Sequence, residues 1–540
     1  AESYGLFEGC ADANLTAQQV EFCNLFENPS LTAFMELRTQ ATKRPPQRMS
    51  FCGEDGSFCI EHGKTTWQRT RAAADQAYEP GVFTTFYGYE YSPSWPERGS
   101  THRNVIFRNQ SVPDTVVSAF DAATALDLWK RLEATCTGDF EVLTIPHNLN
   151  RYYGKAFSLS DEDGAPYTPA DWARRSRLEP VVEIFQAKGA SECAVGVGTS
   201  DEECAFEQYF PTCPEDETVA CAGPNSYARD GLKLGLELEI ELERDLEREL
   251  DANPLQIGFI GSTDNHNSSP GDTEEWDFRG KSGFNDASAA KRLSRRNFAP
   301  QVPLMHNPGG LAAVWAEENT RDALFDALLR KEVYATSGTR IRLRMFAGWH
   351  FEDTLIGNPD AIQTAYATGV PMGSRLSAPA PLDAAPSFYV SVLKDPLSTG
   401  IHRIQMIKGW LANGEQQERV QDIACSQGRP PDPITRRCPP AAPSVNLETC
   451  EVNNVDQTGS LEVVWRDDSF QPDERAFYYV RVLENPSCRW SSYDAIRLDA
   501  QPLSEVPAVV QERAWSSPIW YSPTAPMADR PAGNLVTSAH

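Results

Sequence analysis

The stretch Phe140-Glu-Val-Leu-Thr-Ile-Pro-His147 has the composition of a β-strand that ends at a histidine. β-branched and aromatic residues favour strands, and a proline is tolerated where a strand ends. Similar apolar runs occur at residues 80–91, 102–108, 181–186 and 257–264. Helical patterns lie between several of them, most clearly over residues 119–132. Strands that alternate with helices predict an α/β fold with a parallel sheet or a barrel.

Residues 231–251 form a charged segment in which leucine and glutamate alternate. Leucine also recurs at every fourth position from Leu234 to Leu250, and Leu, Glu and Arg favour helices. We therefore predict a helix with a solvated acidic face, and a partner-binding helix is the alternative.

The pattern changes after Trp349, where prolines become frequent and helical periodicity fades. β-type segments follow at residues 388–393, 401–410, 461–465 and 476–483. We predict a barrel domain over residues 1–350, with an insertion at 190–251 that carries disulfides and the acidic helix. Residues 351–540 are predicted to form a β-rich, sandwich-like C-terminal domain.

The charge balance is strongly acidic, with 49 Lys+Arg against 76 Asp+Glu and a net charge of -27. A surface that follows phosphate backbones needs a basic stripe, so this balance excludes a general nucleic-acid binder. The sequence contains no apolar run of about 18 residues, so we predict no membrane span.

Most of the 13 cysteines fall into close-spaced pairs in polar loop sequence. The pairs are Cys10/Cys23, Cys52/Cys59, Cys193/Cys204, Cys213/Cys221, Cys425/Cys438 and Cys450/Cys488. We interpret most of them as disulfides, with free thiols or a zinc site as alternatives, because the chain has no CxxC pair. This interpretation predicts an oxidising compartment, either the periplasm or the extracellular space, and leaves one cysteine over.

Three predicted strands end in residues that bind metals. Glu90 ends one strand, His147 another, and the sequence Asp264-Asn-His266 a third. In a parallel barrel these ends meet at one face. Together they form a carboxylate and imidazole set suited to Zn, Mn or Fe, whereas each residue alone has an ordinary structural explanation.

Three more residues near these strand ends are candidates for catalysis. Arg103 could hold an anionic oxygen, His102 could act as a ligand or a general acid, and Lys188 could supply a point charge. A surface arginine, a hydrogen-bonded histidine and a loop lysine are the structural alternatives. The sequence has no GxSxG elbow, no P-loop and no GxGxxG after a strand, so serine and nucleotide-cofactor chemistry rank low.

Eight ordered strings across nearly the whole chain resemble a bacterial secreted family known as domain of unknown function 3604. They include Gly-Tyr-Glu-Tyr-Ser, His-Arg-Asn-Val-Ile-Phe-Arg, Ile-Pro-His-Asn, Gly-Phe-Ile-Gly-Ser-Thr-Asp-Asn-His and Asn-Pro-Gly-Gly-Leu-Ala-Ala-Val-Trp-Ala-Glu-Glu-Asn-Thr-Arg. That family is similar to the PHP (polymerase and histidinol phosphatase) metallohydrolases.

The resemblance implies a distorted PHP-like β/α barrel with two or three divalent metals at the carboxyl ends of its strands, commonly a phosphoesterase. It implies that Glu90 bridges metals, that His147 is a histidine ligand, and that Asp264 and His266 are the closing Asp-x-His pair. The family's N-terminal His-x-His and Asp-His motifs are absent from this sequence. We therefore expect a chain that lacks the first barrel strands, or a separate polypeptide that supplies them.

These observations lead to one main hypothesis and two alternatives. The main hypothesis is a hydrolase of small anionic phosphoesters that uses a metal-activated water. The first alternative is a metal-dependent hydrolase of carboxylic esters, lactones or amides. The second is a non-catalytic surface or carbohydrate-binding protein, which would use Trp410, Trp465 and Trp490 of the β-rich region.

Overall fold

The fold is taken from a computed structural model of the chain. It describes residues 9–27, 39–40, 42–95, 99, 101–136, 141–210, 212–213, 221–245, 253–283, 286–294, 305–377, 384–441, 444–453 and 458–523. None of the helices in these ranges has both the length and the apolar character that a membrane crossing requires.

The described helices are α1 (Ala17–Glu27), α2 (Ser57–Ala77), α3 (Ala125–Thr135), α4 (Pro169–Leu178), α5 (Ala228–Asp245), α6 (Ala289–Arg292), α7 (Arg321–Leu329), α8 (Ala361–Thr368) and α9 (Trp490–Arg497). Several begin at a threonine cap. At α3 the Thr124 side chain accepts a hydrogen bond from the Asp127 backbone N–H, and the Asp127 carboxylate accepts one from the backbone N–H of Thr124. This reciprocal pairing satisfies amide groups that the first helical turn leaves without partners.

The strands before residue 350 are β1 (Tyr87–Tyr91), β2 (Arg103–Phe107), β3 (Val142–Pro146), β4 (Val181–Gln186), β5 (Gly189–Ala190), β6 (Gly258–Gly261), β7 (Leu311–Val314), β8 (Val333–Thr336) and β9 (Arg342–Gly348). After it come β10 (Gly369–Pro371), β11 (Arg375–Leu376), β12 (Ser387–Leu393), β13 (Ile401–Ala412), β14 (Glu415–Cys425), β15 (Ser444–Val445), β16 (Val452–Asn453), β17 (Ser460–Arg466), β18 (Ala476–Glu484), β19 (Ser487–Cys488), β20 (Val509–Val510), β21 (Arg513–Ser516) and β22 (Ile519–Tyr521).

Two small sheets carry the candidate site. One has the order β1-β2-β3 and the other β5-β4-β6, with β3 lying beside β4, and β6 beside β7 and β8. β4 and β6 are parallel, but β1, β2 and β3 are antiparallel neighbours. The mixed α/β class is therefore confirmed, whereas no closed barrel is found among the described strands. The connection from β1 to β2 has no described helix, and strands joined without a crossover pair antiparallel.

The C-terminal region is β-rich, as the sequence predicts. A four-stranded sheet with the order β10-β9-β12-β17 faces a larger eight-stranded sheet, and the two share one apolar core. Alternate residues point into this core, among them Leu343 and Met345 on β9, and Phe388 and Val390 on β12. This alternation is what two packed sheets require of their inner faces.

The eight-stranded sheet, called here the shared sheet, contains strands from both sides of residue 350. β7 and β8 come before that residue, and β8 pairs with β21 through Thr336 and Ala514. The two predicted regions therefore share a hydrogen-bonded sheet.

A buried charge network lies behind the shared sheet. The Arg481 guanidinium on β18 contacts Glu192 at 3.1 Å and Asp201 at 2.9 Å, and Arg229 on α5 contacts the same two carboxylates. All of these side chains are at most 3% exposed. Because buried charges require close partners, this network fixes the loop after β5 against the C-terminal strands.

Helix α5 confirms the helix predicted from the leucine spacing, over residues 228–245. The predicted solvated acidic face is present in part: Glu241 is exposed and Glu237 is half-buried, whereas Glu239 is buried. Glu239 forms an ion pair with Arg375. The leucines pack against β13 and β18, whose apolar faces the charge pattern of the helix could not reveal. Residues 246–251 of the predicted helix lie outside the described residues.

All six predicted cysteine pairs form disulfides. The remaining cysteine, Cys136, is a half-buried free thiol. Disulfides in this number are typical of proteins that fold in an oxidising environment.

Candidate metal centre

The antiparallel sheet brings three potential metal ligands to one edge. Glu90 is the fourth residue of β1, His102 directly precedes β2, and His147 directly follows β3. Arg103 pairs with Tyr91 on one side and with Pro146 on the other. Because β2 runs opposite to both neighbours, its beginning lies at the same edge as the ends of β1 and β3.

The three side chains form a compact cluster, called here the Glu90 cluster (Glu90, His102 and His147). Glu90 Oε1 lies 2.6 Å from His102 Nδ1 and 3.5 Å from His147 Nε2. One ligand atom from each residue lies within 4.8 Å of the other two. Cys193, Asp201 and Cys204 are as close to one another, but the two sulfurs form a disulfide.

His147 is buried without ordinary hydrogen-bond partners. Its side chain is 2% exposed, and neither ring nitrogen forms a hydrogen bond with any described residue. Burial alone would lower the pKa of His147, but Glu90, Glu183 and Asp264 raise it above the ordinary histidine value. Buried polar atoms nearly always have partners, so two unsatisfied nitrogens beside a carboxylate make His147 a candidate metal ligand.

Glu90 lies between the two histidines, with 39% of its side chain exposed. Desolvation acts to raise the pKa of Glu90, but the imidazoles of His102 and His147 hold it far below its usual range. The carboxylate is therefore ionised at neutral pH and is available to bind a cation.

Asp264 and His266, the other two predicted metal ligands, are not part of the Glu90 cluster, although the charge of Asp264 acts on His147. Asp264 follows β6 with a φ of 47°, a left-handed conformation that is uncommon for an aspartate. Its Oδ1 lies 3.7 Å from His266 Nε2, and its Oδ2 lies 3.1 Å from Lys281 Nζ. Burial acts to raise the pKa of Asp264, but Lys281, His266 and His147 lower it well below the usual range. His266 is 63% exposed.

Arg103 does not face the cluster. Its side chain is buried, and its guanidinium donates to Glu179 Oε1 at 2.5 Å and to the Thr101 carbonyl at 2.8 Å. Successive strand residues point to opposite faces, so Arg103 points under the sheet while His102 stays at the site. This position contradicts the prediction that Arg103 holds an anionic oxygen of the substrate.

Lys188 is buried at the end of the β4–β5 turn, where its Nζ donates to Ser191 Oγ at 2.6 Å. Burial lowers the pKa of Lys188, and the negative charge of Glu183 opposes this effect. Burial likewise raises the pKa of Glu183, against the positive charges of His147 and Lys188. Both groups are buried, and the charge of each acts on the other.

Sequence reasoning missed several titratable residues near the site: Arg151, Glu183, Lys281 and His306. Glu183 lies inside a predicted strand, and its position on β4 could have indicated it. Arg151 lies four residues after His147 in the same loop. Burial lowers the pKa of His306 to about 3, and the charges of Lys281 and Arg151 lower it further. Lys281 and Arg151 therefore bring positive charge to this part of the site.

The aromatic residues of the β-rich region do not form a common exposed platform. Trp490 is fully buried. Trp465 is half-buried against Phe388, and Trp410 is half-buried beside Lys408. These contacts are those of core and edge packing, and they give the binding-protein alternative no support.

Comparison with known proteins places the chain in a family. The model of the family described as "Protein of unknown function (DUF3604)" matches residues 1–523. No curated protein and no solved structure matches the chain. The match covers almost the whole sequence, and the chain therefore belongs to this family of unknown function.

Proposed function

We propose that the protein is a metal-dependent hydrolase of phosphoesters that works in the periplasm or outside the cell, with a site related to that of the PHP metallohydrolases. The observation that carries the proposal is the pair of unpartnered, buried ring nitrogens of His147 beside the ionised Glu90 carboxylate. Two imidazoles and a carboxylate are a donor set that Zn, Mn and Fe accept.

The residues divide naturally between two or three such ions. Glu90, His102 and His147 would hold one of them. Asp264, with His266 beside it, would hold a second, once Lys281 gives up its contact with the Asp264 carboxylate. When bound, such ions lower the pKa of a water molecule and polarise the scissile group.

The remaining residues would prepare the site for an anion. Lys281 and Lys188 place positive charge beside Asp264 and Glu183, which offsets the carboxylates that the metals do not neutralise. The Gln186 side chain donates to the His147 carbonyl at 2.9 Å and so fixes the backbone that carries this ligand. A fixed backbone keeps the donor set in one geometry, as metal affinity requires.

Elemental analysis of the purified protein, combined with an ester panel, tests the proposal. We expect bound Zn, Mn or Fe, and chelator-sensitive hydrolysis of p-nitrophenyl phosphate or its bis ester. Asp264→Asn should abolish turnover and reduce bound metal, whereas the control His350→Ala, at an exposed histidine, should change neither. Preferential hydrolysis of p-nitrophenyl acetate would support the carboxylic-ester alternative. Full Asp264→Asn activity after exhaustive chelation would exclude a metallohydrolase.

A further inference from the structure

Arg151 stands in the loop that follows His147. It closes the short 3₁₀ turn Leu149–Arg151, where its backbone N–H donates to the Asn148 carbonyl at 2.7 Å. Within the described ranges its guanidinium forms neither a hydrogen bond nor an ion pair. The buried arginines near it are different: Arg103 and Arg175 are both paired with Glu179.

The loop that carries Arg151 is fixed on two sides. The Asn150 side chain donates to the Ala190 carbonyl at 3.2 Å, and the Tyr152 hydroxyl donates to the His102 carbonyl. The backbone on either side of Arg151 is thus fastened to the β5 edge and to the Glu90 cluster. A side chain on so rigid a base loses little further freedom when it binds a ligand.

The charge of Arg151 acts on residues of the candidate site. It lowers the pKa values of Lys188 and His306, and the charge of Asp264 acts on it in turn. Lys281 is already engaged by Asp264, and Lys188 is fully buried. Arg151 is half-buried, so of these three cations it is the one that remains both unpaired and open to solvent.

We propose that Arg151 binds the terminal phosphate of the substrate and makes the site selective for phosphate monoesters over diesters. This inference rests on the proposed hydrolase function. A phosphate monoester carries close to two negative charges at neutral pH, whereas a diester carries one. The planar guanidinium can bind two oxygens of a terminal phosphate at once, a geometry that matches an anion with several free oxygens.

Steady-state kinetics with two substrates test the selectivity. Arg151→Ala should raise KM for p-nitrophenyl phosphate by about 10- to 100-fold, the range expected when hydrogen bonds to a charged group are lost. KM for bis(p-nitrophenyl) phosphate should change much less. Arg151→Lys keeps the charge but loses the planar guanidinium that can donate to two oxygens. Its KM should therefore lie between those of the wild type and Arg151→Ala. Arg177→Ala, at an arginine paired with Glu133 on helix α3, is the matched control.

Calorimetric titration of the metal-loaded protein with inorganic phosphate gives a readout that needs no turnover. Arg151→Ala should weaken phosphate binding by a similar factor, and the metal content of each variant should equal that of the wild type. If Arg151→Ala loses metal, the phosphate affinity of Arg151→Lys, which retains the positive charge, is compared with that of the wild type instead.

The outcomes separate this inference from the proposed function. Hydrolysis of both esters with KM and phosphate affinity unchanged in the Arg151 variants would overturn the inference and leave the hydrolase proposal standing. Phosphate binding that depends on Arg151, without hydrolysis of either ester, would overturn the hydrolase proposal and leave Arg151 as a phosphate-binding residue. A wild-type protein that neither hydrolyses the esters nor binds phosphate would overturn both.

Discussion

Replacement of Glu90 by glutamine should weaken divalent-metal binding more than any other isosteric change in the Glu90 cluster. The Glu90 carboxylate is the common neighbour of both imidazoles, at 2.6 Å from His102 and 3.5 Å from His147. The amide keeps the shape of the side chain but removes its charge. The two histidines then keep their places without an anionic ligand between them.

The size of the effect follows from the number of donors. Structural zinc sites with four ligands bind with about 10–16 kcal/mol, which is about 2.5–4 kcal/mol for each ligand if the donors share it equally. The loss of one of the three clustered donors should therefore weaken binding by about 100- to 1,000-fold. A competition titration of the metal-free protein with zinc and a chromophoric chelator measures this change directly.

A matched variant and a clear contrary result complete the experiment. His350→Ala removes an exposed histidine outside the cluster and should leave zinc affinity unchanged. Circular dichroism should show that Glu90→Gln retains the wild-type fold. If folded Glu90→Gln binds zinc as tightly as the wild type, these three side chains do not form a metal centre.

Four further predictions concern charge and pH. Because the pKa of His147 is raised, a proton competes with the metal for its ring nitrogen. Zinc affinity measured by calorimetry should therefore already begin to fall as the pH is lowered toward 6.5. Constant affinity from pH 8 to 6 would contradict this. Lys281→Met should tighten zinc binding several-fold, since it frees the Asp264 carboxylate, and unchanged affinity would exclude Asp264 as a ligand. Burial raises the pKa of Glu484 to about 8, so the native state keeps a proton that the unfolded chain releases near pH 4.5. The free energy of unfolding should therefore fall between these pH values by at most about 1.4 kcal/mol per pH unit. Glu484→Gln should remove this slope in urea titrations. Arg481→Met should destabilise the protein by about 3–5 kcal/mol in the same titrations, because it leaves two buried carboxylates with Arg229 as their remaining cation, and a loss below about 1 kcal/mol would contradict this.

The sequence was sufficient for the local elements because their signals are local. The apolar run before His147 forms β3, the leucine spacing forms α5, and every predicted cysteine pair forms a disulfide. Strand direction was not predictable in the same way. The order of elements favoured parallel pairing. The absence of a described helix between β1 and β2 gives a reason for one antiparallel pair, but β2 and β3 are also antiparallel although α3 lies between them.

The candidate site shows the same division. Glu90 and His147 were predicted from their positions at strand ends, and His102 was named beside them. Arg103 was predicted as a site residue because the sequence does not reveal to which face of the sheet its side chain points. Arg151 was overlooked because nothing in its local sequence shows that its guanidinium is without an ion pair among the residues that the structure describes.

The shared sheet has a consequence for how the protein can be altered. β8 carries the backbone that lies beside β6, and it is hydrogen-bonded to β21, nearly 180 residues further along the chain. A truncation after residue 350 would strip β8 of that neighbour and uncover the apolar surface beneath it. Heating should accordingly melt both regions in one calorimetric peak. Substitutions in β21 and β22 should therefore be able to disturb the candidate metal centre from a distance.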